Sequence, residues 1–310
     1  MAVVLFLIGL LLIIKGGDLF VDAATWMARA SGIPQFIVGA TIVSIATTLP
    51  EIIVSTMAAA DLNTEMAIGN AIGSVTANTG LIMGICLVFM PIAIKRSQIA
   101  MKGTLLIMSC LFLWILSFGG GLSITGSFII LLLFVAFIAE NLHSASQDTA
   151  VVERPQVHRK DVTSNLVKFA VGAAALVVGS DLLVDNGTVL AVALGVPTRV
   201  IAVTMVAIGT SLPELVTAIT AIAKKQASMS VGNILGANII DITVILPLCA
   251  FISRGSLPVP SDTLRLDMPV CLLEACIAIL PTLVFKRFHR IQGILMIAVY
   301  LAYLGFTVLV

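Results

Sequence analysis

Two glutamates, Glu51 and Glu214, each end a Leu-Pro-Glu string inside a long apolar segment. The proline has no amide hydrogen and crowds the carbonyl four residues earlier, so the oxygens of Ala46 and Gly209 lose their helical donors. Hydrocarbon offers no replacement, and such breaks persist only beside protein, water or a bound cation. The helix restarts at each proline, and its positive end favours an ionised carboxylate in the first turn. A simple kink with a protonated glutamate would not predict the same string twice, so we interpret both glutamates as parts of a cation site.

Further oxygen and amide groups follow each glutamate in the chain. Two sets are spaced four residues apart and so share one helix face: Asn70, Ser74 and Asn78, and Asn233, Ala237 and Asp241. Hydroxyl groups also lie one turn from the glutamates, on Thr47, Thr48, Thr210 and Ser211. Oxygen ligands without Cys or His suit hard cations such as Ca²⁺ and Na⁺ rather than Zn²⁺ or Cu. Three carboxylates neutralise one divalent ion or several monovalent ions but hardly both, and this competition is the physical basis of exchange.

The elements that carry these residues are membrane helices. The chain is 59% hydrophobic and 11% charged with a mean hydropathy of +1.15, which excludes a soluble fold. A net charge of +1 leaves no basic surplus for a nucleic-acid partner, and the five cysteines form no metal or redox motif. Since a span needs about 20 apolar residues, we predict an all-α integral membrane protein with ten transmembrane helices: 2–28, 34–60, 66–92, 101–118, 123–141, 164–191, 197–223, 229–252, 267–285 and 291–310.

The distribution of cations predicts the orientation. Most of the 17 Lys and Arg residues fall in alternate connectors, which are cytoplasmic by the positive-inside rule. We therefore expect a multi-pass protein of the cell membrane with both termini outside. The longest polar connector, 142–163, is expected to be a cytoplasmic linker between a first half, 1–141, and a second half, 164–310.

The two halves contain an internal repeat. Residues 18–84 align with 181–247 without a gap at an offset of 163, and about a third of the aligned positions are identical. The copies begin five spans apart, so each helix crosses the membrane in the sense opposite to its copy. We predict two inverted five-helix repeats with broken second and seventh helices. Such symmetry is common in secondary transporters, which bind their ions at the midplane between the repeats.

With these residues in hand, the chain resembles the sodium/calcium exchanger family of the cation/calcium antiporter superfamily, as a minimal prokaryotic-type member without a large regulatory loop. The resemblance rests on the repeated Leu-Pro-Glu strings and on GNAIGSVTAN and GNILGANIID, and it covers essentially the whole length. It implies a secondary active antiporter that exchanges Na⁺ for Ca²⁺ by alternating access.

The resemblance also implies a set of metal ligands. Glu51 and Glu214 look like the central ligands shared by both ions, with backbone oxygens of Thr47 and Thr210 added for Ca²⁺. Asn78 and Asp241 would flank the middle, and carbonyls of Ser44 and Ala207 would serve outer Na⁺ sites. Ser74 would give its hydroxyl to one Na⁺ site. Ala237 replaces the family's serine at the related position and has no hydroxyl to give.

Several readings stay open at this level. The same fold with H⁺ or additional K⁺ coupling is the nearest alternative, and a membrane-embedded metal-dependent enzyme or a passive channel belongs to different classes. We expect a transporter rather than an enzyme, with membrane lipid around it, no cofactor and no obligatory protein partner.

Charged residues outside the two motifs carry separate expectations. Asp18 and Asp22 recur as Asp181 and Asp185, and they suit an ion-access vestibule or interfacial anchoring equally well. We expect Lys15 to pair with Asp18. Glu274, which has no acidic copy, is expected to be hydrogen-bonded or to snorkel to the interface.

Overall fold

The computed structural model describes residues 1–90, 96–147, 159–195, 209, 211–253 and 255–309. Eleven helices and two short strands lie in this part of the chain: α1 Ala2–Ser31, α2 Gln35–Thr47, α3 Leu49–Ala60, α4 Thr64–Phe89, α5 Arg96–Leu116, β1 Gly121–Ser123, α6 Ile124–Gln147, α7 Arg159–Ala193, α8 Leu212–Ala223, α9 Ala227–Ile252, β2 Ser256–Pro258, α10 Thr263–Phe285 and α11 Arg290–Leu309. The predicted helical fold is confirmed for the described residues, and β1 and β2 add a two-stranded antiparallel ribbon to it.

Eight described helices are long and apolar enough to cross a membrane, and α2 with α3 makes a ninth if the bent pair counts as one span. Helix α8 is apolar but short, and the residues before it, 196–208, lie outside the described part of the chain. The predicted seventh span, 197–223, therefore stays a prediction.

The second span is broken at the predicted place. Helices α2 and α3 meet at an angle of 45°, and Pro50 occupies the first turn of α3. Pro213 has the same place in α8. Proline is favoured there because the first-turn amides have no intrahelical acceptor. The chain thus restarts a helix one residue before each of the two prolines.

Helix boundaries recur at the sequence offset of 163. Helices α3 and α8 each contain 12 residues. The α-helical first parts of α4 and α9, Thr64–Ala77 and Ala227–Ile240, each contain 14 residues. Both then change to a wider π-helical turn, beginning at Asn78 in α4 and at Asp241 in α9. The sequence predicted ordinary helix here, and π-helical turns often mark functional sites.

Helices α1 and α7 pack closely along their glycines. A Cβ at Gly9 would collide with the carbonyl of Gly179, and a Cβ at Gly16 would collide with the carbonyl of Gly172. As the residue number rises along α1 it falls along α7, so the two helices are antiparallel. The rings of Phe20 and Phe169 stack at 4.5 Å at one end of this contact.

A second close contact joins α2 to α9. A Cβ at Gly236 would lie 2.5 Å from the carbonyl oxygen of Ala40 and 2.5 Å from the hydroxyl of Ser44, and Gly232 lies against the carbonyl of Phe36. Small residues on α9 thus let the broken helix of the first half pack closely against it. The contact fixes α9 directly beside the break in the second span.

Candidate ion-binding site

Three buried carboxyl groups lie on helices α3, α8 and α9. Glu51 in the first turn of α3 is 1% exposed, and Glu214 in the first turn of α8 is 0% exposed. Asp241, at the start of the π-helical turn of α9, is also 0% exposed. None of their six oxygens hydrogen-bonds to a described residue. Burying a charge without a partner is costly, so these oxygens require protons or cations.

The three groups lie close enough to repel one another. Glu51 is within electrostatic range of both Glu214 and Asp241, and Asp241 is within range of Glu214. They do not converge on a single point, because no three His, Cys, Asp or Glu side chains among the described residues could hold one ion by themselves. A cation here needs neutral oxygens as well as carboxylates.

Asn78 is the neutral counterpart of Asp241 in position and environment. It begins the π-helical turn of α4, is 1% exposed, and neither its amide nitrogen nor its oxygen has a hydrogen-bond partner among the described residues. The turns pack crosswise: the one that begins at Asn78 contacts α8, and the one that begins at Asp241 contacts α3. Each glutamate-bearing helix therefore lies against the polar turn of the other half.

Residues before the break in the second span add hydroxyl and carbonyl oxygens. Thr47 is 2% exposed, lies near the Glu214 carboxylate without hydrogen-bonding to it, and donates to the side-chain oxygen of Asn233 at 3.2 Å. The carbonyl of Ser44 accepts from the amide of Thr48 at 2.9 Å and from the hydroxyl of Thr47 at 3.4 Å, so an ion bound there would take the place of the weaker hydroxyl donor. Ser74 is buried within α4. The two other predicted ligands, Thr210 and Ala207, lie outside the described residues.

Two asparagines of the predicted four-residue series join neighbouring helices by hydrogen bonds and do not bond to the carboxylates. Asn70 donates to the hydroxyl of Ser55 at 2.9 Å and so ties α4 to α3. Asn233 donates to the hydroxyl of Thr217 at 3.2 Å and ties α9 to α8. These bonds orient the first turns that carry Glu51 and Glu214, which is a positioning role that four-residue spacing alone does not reveal.

One contact near the site was missed by the sequence analysis. Asn238 donates to the hydroxyl of Thr79 at 2.7 Å, which joins α9 to the π-helical turn of α4 across the two halves. Its side-chain oxygen is buried and has no described partner. The sequence does contain an indication of this contact. The position related to Asn238 in the first half holds the apolar Val75, so the asparagine is specific to the second half.

Glu274 is a fourth buried carboxyl group, in α10. It is 0% exposed and neither oxygen hydrogen-bonds to a described residue, so the expectation of a hydrogen-bonded or snorkelling side chain was wrong. Space for it exists because Gly80 faces it: a Cβ at Gly80 would lie 2.8 Å from the Glu274 Oε1 and 2.8 Å from the Tyr300 Cβ. Glu274 thus packs against the π-helical turn that presents Asn78.

Gly80→Ala should therefore disturb the turn and lower stability by about 1–3 kcal/mol, the usual cost of overpacking. Thermal unfolding of the purified protein measures it. Glu274→Ala in the same chain should recover part of the loss, whereas Glu274→Gln, which keeps the shape, should not. Additive losses in the Gly80→Ala, Glu274→Ala double variant would show that the two residues do not oppose each other.

Comparison with known proteins assigns the family. The sequence profile described as sodium/calcium exchanger protein matches residues 1–142 and 164–309. The chain belongs to the sodium/calcium exchanger family.

Individual relatives match over nearly the whole length. The uncharacterized membrane protein MJ0091 of Methanocaldococcus jannaschii is 31% identical over 300 residues, which cover 96% of this chain and 94% of the relative. The sodium/calcium exchanger MaX1 of Methanosarcina acetivorans is 26% identical over 338 residues, covering 96% of each chain. A solved structure of the sodium-calcium exchanger NCX_Mj, soaked with Na⁺ and Sr²⁺, has a TM-score of 0.86 and 29% identity over 98% of each chain.

These matches decide between classes of protein. They support transport of Na⁺ and Ca²⁺ in opposite directions across a membrane, and they set the membrane-embedded enzyme aside.

Proposed function

We propose that the protein is a secondary active antiporter in which Na⁺ influx drives Ca²⁺ movement by alternating access, with both ions bound near the midplane. One observation carries the proposal: Glu51, Glu214 and Asp241 are buried, mutually repelling and without hydrogen-bond partners among the described residues. Such a set is stabilised by positive charge, and either one Ca²⁺ or several Na⁺ supplies it.

The proposed ligands fall into two groups. Glu51 and Glu214 are the central ligands for both ions, with backbone oxygens of Thr47 and Thr210 completing the Ca²⁺ site. The flanking group places Asn78 and Asp241 beside the middle, with Ser74, Ser44 and Ala207 at the outer Na⁺ sites. The polar side chains without described partners at Asn78 and Asp241 support this division, because both begin a π-helical turn beside the helices of the two glutamates.

We further propose two inverted halves, 1–141 and 164–310, joined by a cytoplasmic linker at 142–163, with both termini outside. The antiparallel contact of α1 with α7 supports the inversion, since Gly9 and Gly16 correspond to Gly172 and Gly179 at the offset of 163. The family profile also matches the chain as two segments that flank 143–163.

Reconstituted transport tests the proposal. Purified protein in liposomes loaded with Na⁺ should accumulate radioactive Ca²⁺ when diluted into choline medium, and liposomes loaded with choline should not. Uptake that follows a pH gradient and ignores Na⁺ would assign H⁺ coupling instead. A requirement for K⁺ in the medium would assign additional K⁺ coupling.

Ala237→Ser should change the Na⁺ dependence of this uptake. Ala237 is 1% exposed in α9 at the position related to Ser74, so a serine there adds a hydroxyl oxygen at one proposed Na⁺ site. We expect a lower half-saturating Na⁺ concentration or a steeper Na⁺ curve, with little change in the Ca²⁺ dependence. Superimposable Na⁺ curves would mean that position 237 does not face a Na⁺ site.

A further inference from the structure

An ion-pair cluster ties α1 to the end of α8. The Lys224 Nζ lies 2.8 Å from the Asp22 Oδ1 and 3.2 Å from the Asp18 Oδ1, and it donates to the backbone oxygen of Asp18 at 3.0 Å. Asp18 and Asp22 therefore pair with Lys224 and not with Lys15, contrary to the sequence-based expectation. Lys224 directly follows α8, the helix that carries Glu214.

The neighbouring carboxylates stabilise the positive charge of Lys224. Its partial burial lowers its pKa, but the hydrogen bonds to Asp22 and Asp18 outweigh burial, and the pKa lies above the ordinary 10.5. A raised lysine pKa gives stability that is complete below the ordinary value and is lost only as the pH rises above it. The lysine of the cluster therefore stays charged when the pH varies around neutral.

The same cluster lies at the end of a packed interface. Helix α1 lies along α8, with Gly17 against the side chains of Val216 and Thr220. The related helices behave differently: α7 makes no comparable contact with α3 within the described residues. On α3, the copies of Val216 and Thr220 are Ile53 and Met57, which are 52% and 61% exposed. Among the described residues, α1 therefore covers this face of α8, and α7 leaves the related face of α3 uncovered.

The repeat shows what the opposite state would bring together. The offset of 163 relates Asp18 and Asp22 to Asp181 and Asp185, and it relates Lys224 to Asp61. If α7 closed over α3 as α1 closes over α8, two acids would approach a third acid. Like charges at short range repel, so this half has no equivalent cluster.

We propose that Lys224, Asp18 and Asp22 form an ion-pair latch that holds α1 closed over α8. Asp61, which occupies the position related to Lys224, prevents an equivalent latch between α7 and α3. The inference rests on the proposed alternating access between inverted halves and adds which of the two access states is favoured. In the favoured state, α8 is covered and α3 is accessible. Lys224, Asp18, Asp22 and Asp61 thereby set how readily the two states interchange, without touching the ions.

Cysteine labelling at related positions reads the two states directly. Met57→Cys and Thr220→Cys are introduced separately into a chain whose five native cysteines are replaced, and each protein is placed in nanodiscs with a water-soluble maleimide. Met57→Cys should react faster than Thr220→Cys. Lys224→Ala should raise the rate at position 220 and lower it at position 57, by up to about fivefold, the factor that an exposed ion pair provides.

Two further variants separate the latch from a general loss of charge. Lys225→Ala, which removes a neighbouring exposed lysine without a described ion pair, should leave both labelling rates unchanged. Asp61→Lys should act in the opposite direction to Lys224→Ala, by slowing labelling at position 57, because it supplies the missing partner for Asp181 and Asp185. Exchanging the charges with Lys224→Asp and Asp22→Lys together should restore the original rates.

The outcomes distinguish this proposal from the transport proposal. Labelling that responds as described in a protein without Na⁺-driven Ca²⁺ uptake would keep the latch and reject the transport assignment. Equal rates in Lys224→Ala and its parent, in a protein that transports, would overturn the latch. If the cysteine-free chain does not fold, backbone hydrogen exchange in the native-cysteine chain replaces labelling: Lys224→Ala should speed exchange in residues 212–223 and slow it in 49–60.

Discussion

Glu51→Gln and Glu214→Gln are each expected to reduce Na⁺-driven Ca²⁺ uptake to the background of empty liposomes. Glutamine keeps the shape of the side chain and removes its charge. The bound cation therefore loses one of its central anionic ligands. Removing one member of a buried charge pair costs about 3–5 kcal/mol, which corresponds to a loss of more than about a hundredfold in affinity. Initial rates of radioactive Ca²⁺ uptake measure the effect.

The control for these variants is Glu65→Gln, which neutralises an exposed glutamate in the first turn of α4. It should transport at the parent rate. Thermal unfolding separates lost binding from lost folding: both buried variants should stay folded, and Ca²⁺ should raise the unfolding temperature of the parent and of Glu65→Gln alone. Full uptake by Glu51→Gln or Glu214→Gln would remove that residue from the proposed ion site.

Gly232→Val is expected to have the second largest effect, on folding as well as transport. Gly232 lies directly against the carbonyl of Phe36, so any Cβ forces α9 away from α2. Overpacking costs about 1–3 kcal/mol, and the separation also shifts Thr47 away from Asn233, which accepts its hydrogen bond at 3.2 Å. We expect a lower unfolding temperature and a strongly reduced Ca²⁺ uptake rate.

Gly305→Val is the matched control, since the described atoms leave open space around Gly305 in α11. It should unfold at the temperature of the parent and transport normally. A Gly232→Val protein as stable and active as its control would mean that α2 and α9 separate at no cost. The close contact would then have no part in holding the site together.

The site could be predicted from the sequence where local chemistry decides the structure. A proline that cannot donate disrupts the helical hydrogen bonds near Glu51, and α2 and α3 meet there at an angle of 45°. The repeated strings likewise predicted two glutamates in related first turns, and both are buried there.

Features that depend on distant partners could not be predicted. The π-helical turns at Asn78 and Asp241 occur in runs that read as ordinary helix, and nothing in their spacing distinguishes the two forms. Lys224 bonds to Asp18 across 206 residues of sequence, so the nearer Lys15 was the natural but incorrect choice. Glu274 is buried because Gly80 leaves room for it, which only the packed helices reveal.

The ribbon of β1 and β2 restricts which parts of the molecule can move. Gly121, Leu122 and Ser123 pair with Pro258, Leu257 and Ser256, and the amide of Val259 donates to the carbonyl of Gly120 at 3.1 Å. These hydrogen bonds clamp the α5–α6 connector to the α9–α10 connector, so one end of the two halves is tied together. A rotation of one entire half against the other would break these hydrogen bonds. Among the described residues the ribbon pairs with neither α1 nor α7, so we expect a movement of this antiparallel pair to leave the clamp intact.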